Sequence, residues 1–176
     1  ETNVLGVDRL LSALKKSGSL DAFAVSSDKA CQPASLMGAS KRLMEQVLFW
    51  HADHEGSLLG SEGGHPLRRS TSSRFANVAF SDGSLPHGWR RRLEKRQPLS
   101  APRDVQRYFI TDQEAAGLCL LAALVAEDRE ILIPRHIDRL ELTSFTDMAE
   151  HFLRNQGFEA VLCATEEEAR SSVASL

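Results

Sequence analysis

Long apolar runs are missing from this chain of 176 residues: none approaches the roughly 18 to 20 residues that cross a bilayer. No basic-then-apolar leader pattern opens it either, so the expectation is a protein of the cytoplasm with no membrane partner. Cysteine is scarce. Cys31, Cys119 and Cys163 are odd in number and far apart, which argues for reduced thiols over a disulfide framework, and Cys31 reads as a small buried residue. An excess of basic charge is also lacking, since the formal net charge is -3, which argues against general nucleic-acid binding. The histidines of HADHE, His51 and His54 beside Glu55, lack the i, i+4 pairing of a helical zinc site and read as a solvated helix end. Finally, no glycine-rich turn between a strand and a helix is found. Gly56, Gly60, Gly63 and Gly64 follow a helical stretch and read as a loop.

What the chain does hold is concentrated between Phe23 and Glu45, FAVSSDKACQPASLMGASKRLME. Residues 21–27 form a short run around Phe23 and Val25, fit for a parallel strand, ending in two serines and the charged pair Asp28 and Lys29. Ligands of open α/β sheets collect at such carboxyl ends. Pro33 and Ser35 announce a helix, and Leu36, Leu43, Val47 and Trp50, flanked by Met37, Met44 and Leu48, make an apolar stripe at helical spacing that reads as core. Met37 and Lys41 lie four apart, on one helical face. If that helix packs on the sheet, Asp28, Lys29, Met37 and Lys41 surround one pocket.

Patterning elsewhere predicts strands near 71–79, 107–110, 130–133 and 159–163, and helices near 2–16, 35–54, 85–96, 113–126 and 144–155. Ser144 with Asp147 looks like a capping box. The basic stretch WRRRLEKR, from Trp89 to Arg96, reads as a solvated helix face. Residues 166–168 are acidic and open a helical segment reaching 175. Loops are expected over 55–66 and 81–87, with 134–143 irregular. The length suits one domain, 1–176, with an active-site part over 1–80 and a mostly substrate-binding part over 81–176.

The Asp28, Lys29, Met37 and Lys41 segment resembles the active site of extended short-chain dehydrogenases, specifically the nucleotide-sugar 4,6-dehydratases of polysaccharide biosynthesis. Most of that superfamily carries Tyr where Met37 stands, but one dehydratase branch has Met there and an Asp-Lys pair at the preceding strand end. The resemblance extends to RFANV at Arg74 to Val78, to LSAPRDVQRYFIT at Leu99 to Thr111, and to TNVLGV near the start, where Val7 replaces the usual Thr. It implies an α/β, Rossmann-type parallel sheet flanked by helices, lacking the N-terminal glycine-rich βαβ unit and carrying a small C-terminal substrate-binding part. The chain would then be the C-terminal half of a dehydratase.

By the same resemblance Asp28 is the acid that expels the sugar C6 hydroxyl and Lys29 the base that removes the C5 proton. Lys41 holds the nicotinamide ribose with Ser26 beside it; Ser27, Asn77 and Arg107 contact the nucleotide sugar, and Asn3 anchors the first helix against the active-site strand. NAD or NADP is the implied cofactor, UDP-N-acetylglucosamine the implied substrate, and a homodimer or higher homo-oligomer the implied assembly. A non-catalytic remnant or assembly module of the family is the alternative from another class. A nucleotide-sugar epimerase is a further one, although such enzymes normally keep the Tyr.

Overall fold

The structure, a computed structural model, describes residues 1–18, 20–60, 63–134 and 142–174. A π-type turn, Thr2–Gly6, runs into helix α1 (Val7–Lys15). Strand β1 (Asp21–Val25) leads through a single 3-10 turn, Asp28–Ala30, to helix α2 (Leu36–Asp53). Strands β2 (Arg69–Ser73) and β3 (Asn77–Val78) precede helix α3 (Leu85–Glu94), strands β4 (Gln106–Arg107) and β5 (Phe109–Ile110), and helix α4 (Asp112–Leu124). Strands β6 (Ile131–Leu132) and β7 (Thr143–Ser144) and helices α5 (Phe145–Asn155) and α6 (Glu166–Ala174) follow.

The chain divides into two compact units, Glu1–Ala76 with Gln113–Arg135, and Asn77–Asp112 with His136–Leu176. In the first, β1, β2 and β6 form a parallel sheet in that order, with Phe23 opposite Thr71 and Ser72 opposite Ile131. Leu11 of α1, Leu48 of α2 and Leu67 form its apolar centre, joined by Val7, Leu20, Ala22, Ala24, Phe49 and Ala52. Burying each large aliphatic side chain contributes about 1.5–3 kcal/mol.

A central parallel strand, covered on both faces, is ordinarily aliphatic. Here β2 reads RSTSS, and Ser70, Thr71, Ser72 and Ser73 are all buried. The serine hydroxyls are tolerated because they are partnered: Ser70 Oγ donates to Asp128 Oδ1 at 3.0 Å and Ser72 Oγ to the Ala24 carbonyl at 2.8 Å. Ser73 Oγ lies 3.7 Å from Cys119 Sγ. Arg69 ties the strand's start to α4 by donating to the carbonyls of Ala123 and Ala126.

Helix α2 starts as its sequence suggests, with Ser35 Oγ accepting from the Gly38 amide at 3.2 Å. The buried face is not the expected stripe. Met44, Val47 and Leu48 are buried, but Leu36 is 88% and Leu43 53% exposed, and Glu45 and His51 are buried instead. The stripe misleads because paired polar side chains occupy part of the face that meets the sheet and α1.

In the second unit, β3 and β5 pair in parallel and β4 and β7 antiparallel. Trp89 of α3 is buried against Ala149 and Phe152 of α5, with its indole Nε1 donating to the Ser100 carbonyl at 3.0 Å. This anchor leaves Arg90, Arg91 and Arg92 exposed, so the basic stretch is solvated on one side only. Ser144 caps α5 by accepting from the Asp147 amide at 3.0 Å, and Gly157, at φ +84, turns the chain after it in a conformation that favours glycine.

Three expected strands need correction. The stretch 71–79 is not one strand: it breaks after Ser73 and resumes as β3 with a different partner. Residues 107–110 likewise split, Arg107 pairing through β4 and Phe109 through β5. Residues 159–163 form no strand; they pair with no strand among the described residues, Val161 is 74% exposed, and apolar alternation without a partner ladder does not hold extended backbone. The expected irregular run 134–143 lies mostly outside the described residues, as does residue 175.

Candidate functional site

The carboxyl end of β1 is held by the continuation of β2. The Ser26 amide donates to the Ser73 carbonyl at 2.8 Å and the Asp28 amide to the Phe75 carbonyl at 3.1 Å. Beyond this point the chain folds into the tight turn of Asp28–Ala30, capped by Ser27, whose Oγ accepts from the Lys29 amide at 3.3 Å and donates to Asp28 Oδ1 at 2.8 Å. The turn sets both charged side chains toward solvent: Asp28 is exposed and Lys29 half-buried, and Lys29 Nζ lies 3.3 Å from Asp28 Oδ1.

Helix α2 lies against this turn through Gly38. A Cβ there would sit 2.5 Å from the Lys29 carbonyl oxygen, so only glycine permits the approach. Met37, before it, is 46% exposed. One turn on, Lys41 Nζ donates to the Val25 carbonyl at 2.9 Å, the last residue of β1. Burial lowers the Lys41 pKa and the neighbouring Glu45 carboxylate opposes the shift. The expected face of α2 therefore does look back on the strand end, and Lys41 and the Asp28–Lys29 turn meet there.

Ser26 is placed differently from its neighbours. It is buried, and its hydroxyl donates to Glu45 Oε1 at 2.5 Å. Glu45, fully buried, also receives Arg74 Nε at 2.7 Å, Arg74 Nη2 at 2.5 Å and Arg42 Nη1 at 3.1 Å. Burial by itself would raise its pKa, but the hydrogen bonds from Arg74, Ser26 and Arg42 bring it below the usual carboxylate value. Reading the sequence missed this group. The signal available was an acidic residue between Met44 and Val47, within the stretch taken as core.

Three more expectations change. Cys31 is exposed, its Sγ accepting from Arg74 Nη1 at 3.4 Å: it follows the surface turn instead of entering the core. Asn3 anchors to α2, not to the strand, with Nδ2 donating to Ser40 Oγ at 2.9 Å. His51 is not on a solvated helix end. It is fully buried, with Nε2 3.0 Å from Asp8 Oδ1 and Nδ1 3.3 Å from Lys15 Nζ, and Lys15 also donates to the carbonyls of His51 and His54. Burial lowers the pKa of both His51 and Lys15. Such a network is compatible with a neutral imidazole donating from Nε2 and accepting at Nδ1.

In the second unit, Asn77 opens β3 and its Nδ2 donates to the Tyr108 carbonyl at 3.3 Å. Arg107 is exposed, with Nη1 donating to the Gln106 carbonyl at 2.8 Å. Asn77 and the segment around Arg107 are thus neighbours within one unit. No helix among the described residues is long and apolar enough to cross a membrane.

The sequence profile of a family described as polysaccharide biosynthesis protein matches residues 1–171. Among curated relatives, the probable polysaccharide biosynthesis protein EpsC of Bacillus subtilis is 28% identical over 159 residues, 90% of this chain and 24% of that protein. An inverting UDP-N-acetylglucosamine 4,6-dehydratase of Campylobacter jejuni is 27% identical over 147 residues, 82% of this chain and 41% of that protein. The chain thus spans well under half the length of these relatives. Among solved structures, Pen of Bacillus thuringiensis superposes with a TM-score of 0.72 at 22% identity, covering 88% of this chain and 44% of that one. The enzyme WbmF of Bordetella bronchiseptica in complex with NAD+ superposes with a TM-score of 0.69 at 16% identity, covering 98% and 58%. These likenesses establish the expected α/β architecture, a Rossmann-type parallel sheet flanked by helices.

Proposed function

The chain belongs to the polysaccharide biosynthesis protein family, and from that premise we propose that it carries the acid, the base and the ribose-binding lysine of a nucleotide-sugar 4,6-dehydratase. The substrate is a UDP-sugar, with UDP-N-acetylglucosamine the first candidate, as it is for the Campylobacter relative. One observation supports this most: Asp28 and Lys29 stand side by side at the carboxyl end of a parallel strand, 3.3 Å apart and open to solvent, while Lys41 reaches the same strand end from α2.

Lys41 would hold the ribose of NAD or NADP, the first of which is bound in solved structural neighbours, and that group would supply hydride acceptance at C4 and hydride return at C6. The chain's own donors fit its ribose: the Lys41 ammonium sits half-buried beside the strand end. With C4 as a ketone, the C5 proton is acidic. Lys29, as the free amine, takes that proton while Asp28, protonated, gives one to the C6 hydroxyl, and water leaves across C5 and C6. Each positioned proton transfer contributes roughly 10²- to 10⁴-fold in rate.

The contact between the two side chains supplies a route to this state. Moving one proton from the Lys29 ammonium to the Asp28 carboxylate turns an ion pair into a neutral base and an acid. Asn77 and the exposed Arg107 are assigned to the nucleotide diphosphate, for which a guanidinium is the natural donor. Met37 has no proton to give and acts only as an apolar wall.

The free thiols of Cys31, Cys119 and Cys163 suit the cytoplasm. The exposed Leu10 and Leu14 on α1 and Leu36 and Leu43 on α2 suit a homodimer. The reading is tested by incubating the intact protein with UDP-N-acetylglucosamine and NAD+ or NADP+. A product lighter by one water is expected; unchanged substrate, with the other UDP-sugars equally inert, would refute it.

A further inference from the structure

The side chain whose bonding most exceeds what packing needs is Glu45. It makes four directed contacts from a fully buried position, and three of them go to Ser26 and Arg74. Ser26 is the residue after β1 and Arg74 the residue after β2. Arg74 in turn reaches Cys31 Sγ at 3.4 Å, and its amide donates to the Leu132 carbonyl of β6 at 2.9 Å. The segment from Ser26 to Cys31, which carries Asp28 and Lys29, is therefore gripped at both ends by one buried ion pair. Between the ends, it is pressed on α2 at Gly38.

Buried ion pairs are poor devices for stability, since desolvation offsets most of the attraction, and apolar replacements of similar volume are often neutral or better. What such a pair does supply is register. Apolar contacts between a helix and a strand end permit sliding, whereas a carboxylate with both oxygens engaged does not.

We propose that Glu45 and Arg74 are a positioning pair, fixing the Asp28–Lys29 turn against α2 so that acid and base hold their places relative to Lys41. The proposal rests on the dehydratase reading for what is positioned, but not for the positioning itself. Misplacement of reacting groups by about 1 Å can cost on the order of 10²-fold in rate, which sets the size of the effect.

The test compares the intact wild-type protein with Glu45→Gln, Arg74→Lys and the double variant Glu45→Met with Arg74→Leu, in which no buried charge of the pair is left alone. The double variant should melt near wild type, yet turn over UDP-N-acetylglucosamine about 30- to 100-fold more slowly, with KM changed less than about threefold. Hydrogen exchange supplies an arm that needs no turnover. The amides of Asp28, Ala30 and Cys31, bonded to the carbonyls of Phe75, Ser27 and Asp28, should exchange at least about tenfold faster in the double variant, with those of α2 unchanged. A double variant that is stable and equally fast, or whose turn amides exchange as in wild type, would overturn the proposal. If the wild type dehydrates no UDP-sugar, the functional reading falls while the exchange arm still decides the positioning.

Discussion

The two ends of helix α2 handle charge in opposite ways. Near its start, Met37 is exposed and the Asp28–Lys29 pair beside it meets at 3.3 Å with both side chains reaching solvent. At its end, His51 is sealed between Asp8 and Lys15, and the Asp8 Oδ1 that meets the imidazole also accepts from the Leu58 amide at 2.9 Å. Exposed groups can exchange a proton with a substrate without opening the fold. Buried, multiply bonded groups cannot be altered without opening the fold. Charge is thus sorted along one helix: chemistry at the first turns, architecture at the last, and Glu45 between them, buried like the second but serving the first.

The largest effect expected from breaking this division is on stability. Lys15→Met leaves the buried His51 imidazole and the carbonyls of His51 and His54 without their ammonium donor, and each buried acceptor left unsatisfied typically costs about 1–3 kcal/mol. Denaturant unfolding should show that loss, with turnover per folded molecule within about twofold of wild type, as expected for a distant, independent site. A Lys15→Met protein that is stable but slow would erase the distinction between the two ends.

Next in size is the converse change. Lys41→Ala should raise the apparent cofactor constant by one to two decades, about 1.5–3 kcal/mol for a lost charge-assisted contact, while the melting temperature moves little. Titration with NAD+ or NADP+ alongside a melting curve separates the two.

Acid should reveal His51 and Glu45 in separate windows. The His51 pKa is lowered on folding from 6.5, so the unfolded chain binds more protons once the pH falls below that value, and stability declines as pH drops toward the folded value. The Glu45 pKa is lowered from 4.5, so its contribution is intact above 4.5 and lost only as pH falls further. Stability measured against pH should therefore decline in two stages, and His51→Gln should remove the earlier one alone. Smallest of all is Met37→Leu, a swap of similar volume at an exposed position with no proton to relay. Turnover should stay within about tenfold, corresponding to the less than ~1.5 kcal/mol usual for such exchanges.

How far the sequence reached follows the same division. Ser35 and Ser144 announced their helices because capping is local chemistry, and the strand end with Asp28 and Lys29 was legible because turn residues and charges close an apolar run. A four-residue spacing put Met37 and Lys41 on one face, and the convergence of Lys41 on that strand end was expected on the condition that the helix packs on the sheet. What escaped was non-local. The joining of Ser26 and Arg74 through Glu45 links residues distant in sequence and was not legible from any of them singly, and His51 looked solvated because its partners Asp8 and Lys15 come from another helix. Leu36 and Leu43 carried the periodicity of a core face without being buried, because hydrophobic spacing identifies a face but not what covers it. Residues 159–163 failed as a strand for a related reason, since a strand exists only with a neighbour.

The assignment of acid and base to an exposed pair is tested most directly in Asp28→Asn and Lys29→Met of the intact protein, with turnover and nucleotide-sugar affinity measured on the same samples. Each should lose roughly 10²- to 10⁴-fold in dehydration rate, while the calorimetric Kd for UDP-N-acetylglucosamine stays within about threefold of wild type, because these groups act in the transition state. Near-normal turnover in either variant would contradict the assignment.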